Sequence, residues 1–170
     1  MTEERRRAMA ELGRLLDGIQ VVMVTSVSAD DFLRTRPMLL ERLDDAGRLF
    51  FLTHLSSHKV REIDHDPRVN VAFVGSNPER YVSISGRGTV SRDERRIHAL
   101  WNPTYRAWFP GGLDDRDVAL LTVYIERVEY WDVPSSRLVR LWGVARALAT
   151  RQPAEAGEHG AFMLDGDTAD

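Results

Sequence analysis

Between residues 20 and 133 every strand-like run is cut short by a turn signal, and this punctuation limits the possible folds more than any other feature. Runs rich in β-branched and aromatic residues occupy 20–27, 32–43, 48–53, 69–74, 81–90 and 118–133. Polar turns at 28–31, Asp44-Asp45-Ala46-Gly47 and Gly75-Ser76-Asn77-Pro78 separate them. Gly86 and Gly88 within the fifth run mark a bend or barrel corner, and the sixth is long enough to expect a break. Many short strands with helices at a few junctions predict a small antiparallel barrel. Leu49-Phe50-Phe51-Leu52 and 118–125 are apolar without alternation, which predicts burial on both faces. The barrel interior would supply one cover and a partner subunit the other.

Helical spacing marks the junctions. Residues 2–18 place Ala8, Met9, Leu12, Leu15, Leu16 and Ile19 on one stripe, with Gly18 near the end. Residues 57–66 turn Val60 and Ile63 inward and stop at Pro67. Residues 93–100 make a short helix. In 138–149, Leu138, Leu141, Trp142, Ala145 and Leu148 share a helical face, with a strand start left open. The reading is a single domain over residues 1–150 and a polar C-terminal tail over 151–170.

Composition narrows the function. A net charge of −3 with interspersed signs gives no basic field for nucleic acid, and Arg5-Arg6-Arg7 after Glu3-Glu4 reads as a solvated helix face. The absence of cysteine removes disulfides, thiolate nucleophiles and cysteine-based zinc sites and is consistent with a reducing compartment. A charged N-terminus and the lack of a long apolar stretch argue against secretion and membrane spanning, so a cytoplasmic protein is expected.

Twenty-two arginines accompany a single lysine, Lys59, in Thr53-His54-Leu55-Ser56-Ser57-His58-Lys59. An ammonium is a compact charge with three rotatable donors, where a guanidinium is a wider planar fork. With hydroxyls at Thr53, Ser56 and Ser57 beside it, this cation suits a phosphate. His54 and His58 are four apart, but His54 falls at a strand end and no glutamate accompanies the pair, so no metal site is expected. Gly-x-Ser-x-Gly, a Walker loop and a complete dinucleotide fingerprint are all absent; Gly86-Arg87-Gly88 lacks the third glycine and the helix. Trp101, Tyr105, Trp108 and Phe109 crowd a loop holding Pro103 and Pro110, a pattern that by itself reads as a hydrophobic plug.

The motifs also follow a familiar order. Arg36-Pro37-Met38, Gly47, Leu49-Phe50-Phe51-Leu52-Thr53, Ser57-His58-Lys59, Asp66-Pro67-Arg68-Val69 and Tyr81-Val82-Ser83-Ile84-Ser85-Gly86 together resemble the pyridoxamine 5'-phosphate oxidase-like flavoproteins. Leu100-Trp101-Asn102-Pro103, Trp108-Phe109-Pro110-Gly111-Gly112 and Glu129-Tyr130-Trp131-Asp132 are similar to the general stress protein 26 branch. The resemblance implies a mainly β (α+β) fold, an antiparallel Greek-key split β-barrel with flanking helices, assembled as a homodimer with FMN at the subunit interface.

Residue by residue, the resemblance implies that Arg36 reaches the flavin phosphate or ribityl chain. Pro37 and Met38 would bring backbone near the ring, and Leu52 and Thr53 would contribute from the next strand. Ser57, His58 and Lys59 would open a helix whose free amides and positive end favour a phosphate. Trp108 would wall the ring, from the second subunit in one arrangement, and Trp131 matches a tryptophan of the oxidase's flavin site. Three positions depart from the oxidase: His58 replaces an arginine, Tyr81 a glutamine, and Val139, in Arg137-Leu138-Val139-Arg140-Leu141, a histidine that handles the vitamin substrate. The expected activity is therefore electron or hydride transfer with another small molecule, a diffusible nicotinamide being one donor, and not oxidation of vitamin B6 phosphates. A carrier or sensor without turnover, and a deazaflavin or haem in the same cleft with His58 as haem ligand, remain as alternatives.

Overall fold

The computed structural model describes residues 2–76, 79–133 and 158–164. Among these residues thirteen elements follow in order, and every strand pairing is antiparallel. Helix α1 is Glu3–Leu16, and the first strands are β1 (Val21–Val27), β2 (Leu33–Leu39), β3 (Arg42–Leu43) and β4 (Arg48–His54). Helix α2 (His58–His65), β5 (Arg68–Ser76), β6 (Glu79–Ser91) and α3 (Glu94–Leu100) come next. Two 3₁₀ turns, Pro103–Ala107 and Gly112–Asp114, lead to β7 (Val118–Val133), and β8 is Glu158–Met163. The sheet runs β2-β1-β5-β6-β7-β4-β3, with β8 pairing β7 along Arg127–Asp132, beyond the stretch that pairs β4. It curls into a split barrel.

The run 32–43 was expected as one strand and is two. Its chain changes partner between Leu40, whose amide bonds Gln20 O at 2.8 Å, and Glu41, whose amide bonds Phe50 O at 3.0 Å. The break expected in 118–133 is a bulge instead: Ser85 pairs Arg127 while Gly86 pairs Ile125, so Glu126 is the extra residue. Gly86 is required there, because a Cβ would lie 2.1 Å from Tyr124 O.

Period-two alternation sorts side chains into two cores. Leu49 and Phe51 point into the barrel with Val24, Val71, Phe73, Ile84 and Leu121, closed at one end by Leu12 and Leu15 of α1. Phe50 and Leu52 point outward with Val118 and Leu120. The cover for this outward face, expected from a partner subunit, comes from the same chain: Ile97 of α3 and Tyr105 and Phe109 of the aromatic loop. Part of the segment expected as a polar tail also differs. Glu158–Met163 pairs with β7 along Arg127–Asp132, and the Leu164 side chain enters the main core, which polar neighbours in sequence concealed. The segment 138–149 lies outside the described residues.

Two buried charges tie helices to the sheet. The Arg80 guanidinium, 7% exposed, donates to the carbonyls of Arg14 and Asp17 and so caps the C-terminal end of α1. On α2, the buried Glu62 carboxylate accepts from Ser26 Oγ at 2.5 Å and from Arg36 Nη2 at 2.7 Å, with Arg34 at 3.8 Å. Burial alone would raise its pKa, but the bonds from Ser26 and Arg36 and the charges of both arginines more than offset this and hold it below the usual carboxylate range.

A carboxylate depressed in the folded state contributes stability above its unfolded pKa and loses it as pH falls through the folded value. Glu62→Gln is therefore expected to cost roughly 2 kcal/mol at pH 7. The gap from the wild type should narrow below about pH 4, as read from urea unfolding at several pH values. A gap independent of pH would show that the charge of Glu62 is not what holds α2.

Candidate functional site

β2 and β4 stand on opposite sides of the split, and a cavity of about 320 Å³ opens between them. Val21, Pro37, Met38 and Leu39 form one wall, Leu52, Thr53 and His54 the other. Tyr105, Trp108 and Phe109 of the aromatic loop and Lys59 of α2 complete the lining. Most of the surface is apolar and the single lysine supplies its formal cation, a composition typical of a small-molecule site.

The polar end is built by the β4–α2 turn. Ser57 caps α2 in extended backbone, so the helix begins at His58 and Lys59 lies in its first turn. Lys59 Nζ donates to Thr53 Oγ1 at 2.8 Å. Half-burial and the nearby Arg36 charge lower the Lys59 pKa, with Glu62 pulling the other way. The ammonium is thus held at a cost that an anion would relieve. Two hydroxyls, Ser57 Oγ at the cap of α2 and Tyr105 Oη of the aromatic lining, are buried with no hydrogen-bond partner among the described residues. Buried polar atoms are nearly always paired, and unpaired ones mark places where a ligand or a shift of the wall completes the bonding.

Another part of the lining is aromatic. Tyr105 and Phe109 are only 6% and 2% exposed, anchoring the loop, whereas Trp108 is 54% exposed with its ring 6.0 Å from that of Tyr105. An exposed indole beside an apolar cleft is a ready stacking surface for a flat heterocycle.

Six of the residues singled out from sequence therefore meet here: Pro37, Met38, Leu52, Thr53, Lys59 and Trp108. The other four are elsewhere. Arg36 faces inward opposite Val24, its fork occupied by Ser26 and Glu62. Ser57 sits at the helix cap. His58 is exposed, its Nδ1 2.9 Å from Arg61 Nη2. Trp131 lies toward the far end of β7, stacked on His159 at 5.1 Å. It shares the outward sheet face with Val74 and Tyr81, to which it is linked through paired positions. Sequence reasoning missed Val21, Leu39 and Tyr105 as lining residues, and it missed His54, which bonds the Asp117 carboxylate at 3.0 Å across 63 positions. Among the described residues no group of three or more metal-binding side chains occurs. Nor is any described helix long and apolar enough to cross a membrane.

Known proteins share this fold. The general stress FMN/FAD binding protein of Xanthomonas citri superposes with a TM-score of 0.66 at 26% identity, covering 77% of this chain and 92% of that one. A general stress protein 26 from Jannaschia superposes at 0.71 with 21% identity, covering 94% and 99%, and so supports the fold. Protein bli-3 of Neurospora crassa is 26% identical over 142 residues, which is 78% of this chain and 68% of that protein. The Escherichia coli pyridoxine/pyridoxamine 5'-phosphate oxidase is 33% identical over 84 residues, only 38% of the enzyme's length. The family model described as pyridoxamine 5'-phosphate oxidase like matches residues 7–155, and with most of its length so matched this chain belongs to the pyridoxamine 5'-phosphate oxidase-like family.

Proposed function

We propose that the chain binds FMN in the β2–β4 cavity and works as a flavin-dependent oxidoreductase on a small molecule. The observation that carries this reading is one cleft lined by both a half-buried ammonium and an exposed indole. Lys59, with Thr53 and the first turn of α2, would hold the phosphate, and the orphaned Ser57 hydroxyl fits a further bond there. Pro37, Met38, Leu39 and Trp108 would face the ring. When bound, the cofactor supplies hydride and electron transfer, while the protein binds, orients and excludes water. The Arg36 fork is engaged by Ser26 and Glu62, so in this reading Arg36 raises the local positive potential without needing to touch the phosphate. A flavin binding protein among the structural relatives supports the choice of ligand.

Removing the Lys59 charge tests this directly. Lys59→Met should weaken FMN binding about ten- to a hundredfold, the equivalent of one charge-assisted bond, and Lys59→Arg should weaken it less. Riboflavin, which lacks the phosphate, should bind all three proteins alike. Because burial lowers the Lys59 pKa, the ammonium is lost at a lower pH than an ordinary lysine's, and wild-type affinity for FMN should fall as alkaline pH is approached. Flavin fluorescence titrations read each outcome. Equal losses for riboflavin and FMN would assign Lys59 to the fold and not to the phosphate.

A second copy of the chain fits the same reading. Val21, Met23, Val74, Tyr81 and Trp131 expose an apolar outward face that reaches the cavity at Val21. We infer that this face docks a partner subunit, which is how Trp131 and Trp108 would come to serve one ligand. Light scattering at micromolar concentration should give about twice the chain mass, and a monomer that binds FMN stoichiometrically would remove the shared site.

The substrate is expected to differ from that of the oxidase relatives, since Val139 stands where they carry histidine. The FMN-loaded protein should form no pyridoxal phosphate from pyridoxamine phosphate at rates on the order of 1 per second. Reoxidation of reduced nicotinamide by the same preparation would separate an enzyme from a flavin carrier.

A further inference from the structure

We propose that His54 is the proton-exchanging residue of the cavity and that Asp117 positions it; the assignment rests on the cavity being a flavin site. β4 ends at His54, opposite Val118, where the loop before β7 carries Asp117 alongside. Three donors converge on that carboxylate. Ser56 gives its amide to Oδ1 at 2.7 Å and its hydroxyl to Oδ2 at 2.8 Å, and His54 Nδ1 lies 3.0 Å from Oδ2. The backbone closes the same corner, Leu55 N donating to Asp117 O at 2.7 Å. Burial would raise the Asp117 pKa, but the Ser56 and His54 bonds outweigh it and keep the group below the usual carboxylate range.

An ionised carboxylate can only accept, so the His54 hydrogen facing it sits on Nδ1. In the neutral ring the lone pair is then on Nε2, the tautomer that general acid–base catalysis requires. The Phe109 ring lies against the imidazole, centroids 4.3 Å apart at 35°, and fixes its plane. His54 also lines the cavity, and its side chain is 41% exposed, so it is open to a bound molecule. Nε2 has no hydrogen bond to another described residue. Among the described residues the ring bonds Asp117 from the loop before β7 and shares the cavity lining with the charged Lys59 from α2; the aromatic loop contributes Tyr105, Trp108 and Phe109, of which Phe109 lies against the ring. The exchange is a simple one. Nε2 takes one proton from a ligand group or returns it, the other hydrogen stays on Nδ1 and bonded to Asp117, the resulting imidazolium is paired with that carboxylate, and no electrons leave the ring.

A purely structural role, with His54 as an anchor for Phe109 and the turn, predicts different results. The test follows the His54 ring by nitrogen NMR between about pH 5 and 8.5, with and without riboflavin, which excludes the phosphate and Lys59 from the effect. Riboflavin should move the His54 titration midpoint by about 1 pH unit, equivalent to a tenfold change in riboflavin affinity across the titration. His54→Gln should flatten the pH profile of riboflavin binding, and Asp117→Asn should give a mixture of ring tautomers and a displaced profile. An unmoved midpoint in the wild type, or an identical profile in His54→Gln, overturns the proposal, and the first of these needs no variant to fold. A wild type that binds neither riboflavin nor FMN overturns the flavin reading itself, and the role of His54 falls with it.

Discussion

A buried carboxylate must be paired, and the pairing of Glu62 sets much of what surrounds it. Its partners come from β1 (Ser26) and β2 (Arg36), so the bond that neutralises it also fixes α2 against the two strands at one edge of the sheet. Once α2 is fixed there, Lys59, three residues before Glu62, falls beside Thr53 at the mouth of the split. The same bond keeps Arg36 charged yet occupied, close enough to depress the Lys59 pKa. A single ion pair thus sets where the cation stands, while burial first and Arg36 second lower its pKa against the pull of Glu62.

The second determinant is β4, whose five central residues are buried. A strand apolar on both faces demands two cores, and the outer one is satisfied by α3 and the aromatic loop. Tyr105 and Phe109 are the residues that dock this loop, and docking leaves Trp108 at the surface next to the cleft. The apparent plug and the aromatic wall of the cleft are therefore one structure: the buried rings position the exposed one. The outward face of β1, β5 and β6 has no comparable cover among the described residues.

The parts of the site legible in the sequence are those written in one contiguous stretch. Thr53 and Lys59 share a β–α turn, so a hydroxyl and an ammonium six residues apart already suggest a phosphate end. Gly86 was legible as a corner because a strand interior tolerates glycine poorly. What escaped was long-range pairing. Nothing local to Arg36 indicates that Glu62, 26 positions on, will occupy it. Likewise, His54 reads as a strand end until the loop before β7 places Asp117 next to it. β8 was hidden for a related reason: it adds to an existing strand and needs only a short run, with Phe162 and Leu164 packing against the main core.

Consider finally the change of partner between Leu40 and Glu41. Neighbouring amides are bonded to opposite lips of the split, one to Gln20 before β1 and the other to Phe50 of β4. The two lips are consequently joined through one peptide unit, which acts as a short, stiff hinge. Spreading them there would break one of these bonds, at about 1 kcal/mol each. Compliance must then come from the free rim, where Trp108 stands, and the cleft behaves mechanically like a clasp that is fixed at its root and yields at its edge.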